Sequence, residues 1–277
     1  MFLFNNAYGI IGDGRSAALV APDGSIDWCC LPDFASPAIF CRLQDNQRGG
    51  YFQIRPAENA VAGIQRYFQG SNILQTTFTI DTNKVVLTDF MPVMALQAPA
   101  DQEKPALFHQ CLVRDVECTD GEVALTMRLK VTPYQATIPS EISLSPDTRG
   151  AVISGGEQYA GLAILGTERI APFTLEILPQ AEEEPHATLN ANIMLREGER
   201  LQLVLGLRSN ALSAQRLVEV ELPARNFDWE LANTLHCWRE WIAQHSAPGL
   251  PYGPYQDWAQ RSALTLKLLE ANQEAQP

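Results

Sequence analysis

Between about residues 50 and 210 the apolar residues of this chain fall at every second position, and that period limits the fold class more than any other feature. The clearest run is Val123, Leu125, Met127, Leu129 and Val131, alternating with Glu122, Ala124, Thr126, Arg128 and Lys130. Side chains of a strand point alternately to its two faces, so such a run has one apolar face and one wet face. Thr119-Asp120-Gly121 precedes it as a turn signal, and residues 106–132 read as a hairpin. Residues 73–80 and 85–91, joined by Asp81-Thr-Asn-Lys84, read as a second hairpin. Residues 190–195 and 200–207, around Glu197-Gly198-Glu199, read as a third, with both glutamates exposed. No helical segment intervenes, so the sheets must be largely antiparallel and stacked in two layers. The expected fold is mainly β, a large antiparallel two-layer β-sandwich or supersandwich.

The first forty residues imitate a nucleotide loop. Gly12-x-Gly14-x-x-Ala17 follows the apolar pair Ile10 and Ile11, as in a dinucleotide fingerprint, but Pro22-Asp23-Gly24 arrives before a helix of ~10 residues can form. A strand over 16–21, a turn at Pro22 to Gly24 and a returning strand over 25–30 account for the same residues as a hairpin.

The formal net charge of −12 and the absence of a basic run argue against nucleic acid or an anionic membrane surface as partner. The opening Met1-Phe-Leu-Phe-Asn-Asn6 lacks a positive n-region, and no stretch approaches the ~18 apolar residues of a membrane span. A cytoplasmic protein is the expectation. Six cysteines show no C-x-x-C spacing and read as free, mostly buried thiols. The four histidines include no H-x-x-x-H, and no G-x-S-x-G frames a serine nucleophile, so neither a metal nor a cofactor is expected. Glu182-Glu-Glu184 reads as a solvated loop.

After about residue 210 the period changes. Leu231, Leu235, Trp238 and Ile242 lie at i, i+4, i+7 and i+11, one stripe of a helix with Asp228 near its start. Residues 246–254 hold three prolines and two glycines and read as a linker. A further helix is expected over 255–272, with Trp258, Ser262, Leu266 and Leu269 on one face and Ala263 beside them. The expected organisation is a sandwich over 1–212, a linker helix and Pro/Gly-rich linker over 213–254, and an orphan helix over 255–277. A lone apolar-faced helix after a linker usually opens a domain.

Several motifs now carry a family likeness. Residues 8–43, Arg66-Tyr67 followed by Ser71-Asn-Ile-Leu-Gln-Thr-Thr-Phe78, Thr88-Asp-Phe-Met-Pro92, Trp238-Arg-Glu-Trp-Ile242 and Arg261-Ser-Ala-Leu-Thr-Leu-Lys-Leu-Leu269 resemble the N-terminal part of bacterial and archaeal glycoside hydrolase family 15 proteins, the glucoamylase, glucodextranase and trehalase type. The resemblance implies an N-terminal β-supersandwich, a helical linker, and an (α/α)6 barrel whose two glutamates perform hydrolysis. Residues 261–269 resemble the first barrel helix, and the rest of the barrel is absent from this sequence. Inverting hydrolysis needs a protonated carboxyl and a second carboxylate ~6.5–9.5 Å away that activates water. Asp23 belongs to a turn, Asp27 and Asp89 read as structural acceptors, and no catalytic residue is assigned.

One segment carries candidate sugar contacts: Trp28, Asp33, Phe34 and Ser36, an aromatic face with polar groups nearby. The family commonly has Pro-x-Phe-Asp-Ser-Pro here, often with Arg at x, where this chain has Asp33 at x and Ala35 for Asp. Packing against the sandwich or the barrel is the alternative role for this loop, and for Arg15. The resemblance implies a glucan or trehalose-type saccharide as partner of the complete enzyme, with the barrel supplied in cis or in trans. The chain alone is expected to be inactive. A stand-alone carbohydrate-binding or protein-interaction module, or one subunit of a split enzyme, are the alternatives.

Overall fold

A computed structural model describes residues 8–58, 62–93, 111–147, 149–166, 170–179, 185–245 and 255–270. The alternating runs pair into two antiparallel sheets, as the period-two pattern requires. In chain order the first sheet holds β1 (Gly9–Gly12), β2 (Ala17–Val20), β3 (Ser25–Cys30), β4 (Ala38–Phe40), β5 (Tyr51–Pro56), β10 (Glu122–Lys130), β14 (Glu176–Ile177) and β15 (Leu189–Arg196). The second holds β6 (Ile64–Tyr67), β7 (Leu74–Ile80), β8 (Asn83–Phe90), β9 (Cys111–Asp120), β11 (Glu141–Leu144), β12 (Gly150–Gly155), β13 (Gln158–Gly166) and β16 (Arg200–Arg208). Their apolar faces meet in one core that includes Phe52, Ile54, Leu125, Met127, Leu129, Leu203 and Leu205. This architecture matches the expected antiparallel two-layer sandwich.

Of the glycines in the opening segment, Gly14 and Gly24 serve turns, whereas Gly9 and Gly12 lie in β1. β1 and β2 pair from Gly9 opposite Val20 to Gly12 opposite Ala17. Asp13 closes the connection by accepting the backbone N–H groups of Arg15 and Ser16 at 2.9 and 2.8 Å. β2 and β3 form the expected hairpin, with Gly24 at φ +77°. The expected hairpin of β7 and β8 is also present, closed by Asp81 and Thr82 in a turn two residues shorter than expected.

The other two expected hairpins are not hairpins. β9 pairs with β8 and β16, whereas β10 pairs with β5 and β15, so the chain crosses from one sheet to the other at Gly121. A two-residue loop is the usual minimum for a hairpin, and only Gly121, at φ +73°, separates β9 from β10. β15 and β16 cross in the same way at residues 197–199. Alternation reveals which residues share a core face, and an arch satisfies it as well as a hairpin does. The two arches stack: Glu197 N–H donates to Gly121 O at 2.7 Å, Gly198 N–H to Cys118 O at 2.8 Å, and Cys118 N–H to Glu199 O at 3.0 Å. Glu199 is buried rather than exposed, because its carboxylate accepts the Arg196 N–H at 2.8 Å to close the arch.

The sheets are tied together by one buried ion pair. Arg114 on β9 and Asp89 on β8 lie opposite each other and are both fully buried. The guanidinium donates to Asp89 Oδ1 at 2.8 Å and Oδ2 at 3.2 Å, and reaches across the sandwich to the carbonyls of Phe52 and, at 2.8 Å, Gly24. Burial pushes the Asp89 carboxyl above its ordinary range, and the Arg114 charge pulls it back. A side chain at Gly24 would run into the carbonyl of Ile54, which fixes glycine there.

Three helices follow β16, after a single left-handed turn, α1 (Pro133–Ala136), earlier in the chain. α2 (Ala211–Arg216) continues into a π turn (Leu217–Glu221), then come α3 (Phe227–His245) and α4 (Gln256–Leu269). Leu217, Val218, Leu222 and Phe227, with Leu231 and Leu235, cover Val113, Ala163 and Val204 on the outer face of the second sheet. All six cysteines are buried and unpaired. Among the described residues no helix is long and apolar enough to cross a membrane. The opening six residues, the acidic run at Glu182 to Glu184 and the linker at 246–254 lie outside the described residues, as do residues 271–272 of the expected last helix.

Replacing Arg114 with Met leaves the Asp89 carboxylate buried without its counter-charge. A loss of about 3–5 kcal/mol is expected, read as a lower urea midpoint with unchanged slope. Wild-type stability in this variant would show that the pair does not hold the sheets.

Candidate functional site

The candidate sugar contacts divide between two environments. Trp28 on β3 and Phe34 in the following loop are half-buried and pack at a cluster formed by Ala17, Val93, Cys237, Trp238, Leu264 and Leu268, with Trp241 and Ile242 beside them. Their aromatic faces therefore meet the two long helices. Asp33 and Ser36 face outward: Asp33 Oδ1 accepts from the N–H groups of Ala35 and Ser36 at 3.0 and 2.9 Å and from the Ser36 hydroxyl at 2.8 Å. This turn is anchored by the Phe34 N–H, which donates to the Arg15 carbonyl at 2.9 Å. The structure thus keeps Trp28 and Phe34 together and sets Asp33 and Ser36 on the rim of the same loop.

Around this cluster the sandwich is latched to α4. Arg261 lies over the Tyr67 ring at 3.9 Å, donates to the Ser71 carbonyl at 2.8 Å and also to Asn72 Oδ1. Asn72 answers by donating to the Leu264 carbonyl at 3.2 Å. Tyr67 is itself held by β1, where its hydroxyl donates to Ile10 O at 3.0 Å and accepts from Ile10 N–H at 2.7 Å. Burial pulls the Arg261 guanidinium below the ordinary arginine range and pushes the Tyr67 phenol up. α3 is tied to the end of the Thr88-Asp-Phe-Met-Pro92 segment, since Val93 N–H donates to Thr234 Oγ1 and Asn233 Nδ2 donates to Val93 O, both at 3.1 Å.

Reading one apolar stripe on α4 missed this contact. The helix has two: Leu264 and Leu268, four residues apart and one turn beyond Arg261, are buried at the joint. The stripe expected from sequence faces outward, with Trp258 75%, Leu266 71% and Leu269 49% exposed. The i, i+4 spacing of Leu264 and Leu268 was the available signal.

Several buried carboxylates are engaged by arginine. Asp27 accepts from Tyr8 Oη at 2.7 Å, Ser25 Oγ at 2.5 Å and Arg42 Nη2 at 2.7 Å. Asp115 pairs with Arg200, and Glu230 with Arg225 at 2.5 Å. Burial pushes Asp115 and Glu230 up, and their arginines pull them down. Burial is the larger effect at both, and their oxygens are committed as acceptors to guanidinium groups. Among the described residues no group of three or more His, Cys, Asp or Glu is placed to hold a metal ion.

Residues 6–104 match the family model described as trehalase-like, N-terminal. The chain is 27% identical over 266 residues to a trehalase of Thermoplasma volcanium, covering 95% of this chain and 37% of that protein. It is 25% identical over 276 residues to a trehalase of Mycobacterium tuberculosis, covering 94% of this chain and 36% of that one. A bacterial glucoamylase solved with acarbose shares the fold at a TM-score of 0.64 and 10% identity, over 94% of this chain and 40% of its own. Residues 6–104 thus resemble the trehalase-like N-terminal domain, and most of the chain is similar to part of known trehalases. It spans little more than a third of the length of these trehalases.

Replacing Arg261 with Ala removes a charged hydrogen bond and the ring contact together. Amide exchange in α4 is expected to rise about ten- to hundredfold while β7 and β8 keep their protection. Unchanged exchange in α4 would show that the latch does not hold it.

Proposed function

We propose that this chain is the non-catalytic β-domain of a family 15 α-glucosidase, glucoamylase- or trehalase-like, which supports an inverting (α/α)6 barrel acting on an α-glucoside such as trehalose or a starch-like oligosaccharide. The observation that carries this reading is α4, which is packed on the sandwich through Arg261, Leu264 and Leu268 while Trp258 and Leu266 stand exposed on its other side. An exposed apolar stripe of that size favours a covering partner, and the barrel, in cis or in trans, is the partner we assign. The proposed division is a sandwich over 1–212, a connecting segment over 213–254 and the first barrel helix from 255.

In this reading Trp28 and Phe34 hold the joint, while Asp33 and Ser36 supply the domain's saccharide contacts at the loop's outer edge. Six buried, unpaired thiols favour a reducing, cytoplasmic setting. The arginine-engaged carboxylates support the view that this polypeptide does not hydrolyse glycosides by itself. Incubation of the 277-residue chain with trehalose and with maltooligosaccharides is expected to release no glucose above the buffer blank. Sustained turnover that survives further purification would overturn the assignment.

A further inference from the structure

A guanidinium that leaves water needs a counter-charge, and in this chain several find one: Arg42 meets Asp27, Arg114 Asp89, Arg200 Asp115, Arg208 Glu221 and Arg225 Glu230. Arg261 does not. Burial pulls it below the ordinary arginine range and no carboxylate offsets this; its compensation is the Tyr67 ring, 3.9 Å from the guanidinium carbon. Of its five N–H groups three are spent, on Thr265 Oγ1 at 3.3 Å, on the Ser71 carbonyl at 2.8 Å and on Asn72 Oδ1. One N–H on each terminal nitrogen is left without an acceptor among the described residues.

This guanidinium lines a cleft of about 280 Å³ between α4 and the turn that joins β6 to β7. The volume is just under the ~300 Å³ at which pockets for drug-sized ligands begin, so only a small molecule fits. One wall is set before any ligand arrives: Phe68 N–H donates to Ile73 O at 2.9 Å, the Ser71 hydroxyl to Phe68 O at 2.9 Å, and Arg239 to Gln69 O at 3.1 Å. A fixed wall lowers the cost of binding. Phe68 and Leu264 give the cleft an apolar side, and the Gln69 and Gln260 amides stand at it with no partner of their own.

Asp257 lies one turn before Arg261 and lines the same cleft, but it is exposed and makes no ion pair with the guanidinium. Counting it with Arg261 and Arg239 leaves one positive charge at the cleft. A single carboxylate matches that charge and takes the two open N–H groups, whereas a dianion brings a surplus charge to face Asp257. A neutral ligand leaves the guanidinium as it was. We propose that the cleft between α4 and the β6–β7 turn binds a small organic monocarboxylate through Arg261. Such a ligand bridges the sandwich and α4. The site uses only that contact and no barrel, so its failure leaves the function proposed above standing.

Nuclear magnetic resonance titration of the 277-residue chain with sodium lactate, against sodium chloride at equal ionic strength, tests the site directly. Saturable shifts are expected at residues 68–71 and 257–264, and the neutral lactamide is expected to cause none. Arg261→Lys keeps the charge but loses the planar fork, and lactate is expected to bind it at least about tenfold more weakly. Gln260→Ala breaks no bond in the structure and is expected to weaken binding about threefold with amide exchange in α4 unchanged. Asp257→Asn removes the opposing charge and is expected to tighten it about threefold. Absence of saturable shifts up to about 100 mM lactate would overturn the proposal, since weaker binding is not specific. So would equal binding of lactamide, tighter binding of inorganic phosphate than of lactate, or unaltered lactate affinity in all three variants.

Discussion

A guanidinium sealed between two sheets sets the geometry that the rest of this structure follows. Arg114 has no water to turn to, so each of its donors must find an acceptor inside the protein. One is Asp89, its neighbour in the same sheet; the others are main-chain carbonyls of Phe52 and Gly24 in the opposite sheet. A side-chain acceptor can adjust its rotamer, but a strand carbonyl cannot move without its strand. The pair therefore specifies how one sheet sits over the other, which apolar packing alone leaves free to slide. Its net contribution to stability is modest because both charges were taken from water, and its larger effect is to penalise any arrangement that leaves either unmatched.

The same logic recurs at the joint with the helices. Arg261 meets the aromatic face of Tyr67 and two acceptors on residues 71 and 72, and Asn72 returns a hydrogen bond to the helix backbone. Tyr67 is bonded in turn to both backbone groups of Ile10 on β1. Segments far apart in sequence, around residues 10, 28, 67, 72, 93, 238 and 261, thus converge on one patch. Several of these segments carry the family resemblance, and in the structure they meet as opposite halves of one contact.

Period-two alternation was enough to read the sandwich, because burial on one face is a property of each strand separately. Pairing is a property of two strands, and there the sequence was less informative. Val123 to Val131 and Leu201 to Leu207 face the core whether their neighbours in sequence lie beside them or across from them. The decisive detail was length: one glycine between β9 and β10 is too short for a hairpin loop and long enough for an arch. In the candidate site, the residue types at Trp28 and Phe34 pointed to an aromatic surface, and the surface exists. That its occupant among the described residues is α3 and α4 could not be read from the loop, since an aromatic ring packs on a leucine as readily as on a sugar ring.

The two outer regions of the molecule differ in what they can recognise. At the joint the contact surface is aromatic and aliphatic, with Arg261 and Asn72 bonded across it, while the buried Trp238 Nε1 finds no hydrogen-bond partner among the described residues. Across the second sheet the cleft between β13, β16 and the π turn is walled by charged residues of both signs and floored by Ala163, Leu165 and Gln202. Both are consequences of what covers a strand's outward face. Where α3 supplies leucines, the outward residues of β9 and β16 are Val113 and Val204. Beyond the reach of that cover they become Asp115, Arg200 and Gln202, which must be paired or wet. The cleft lies where the helical cover gives way to polar side chains that pair with one another.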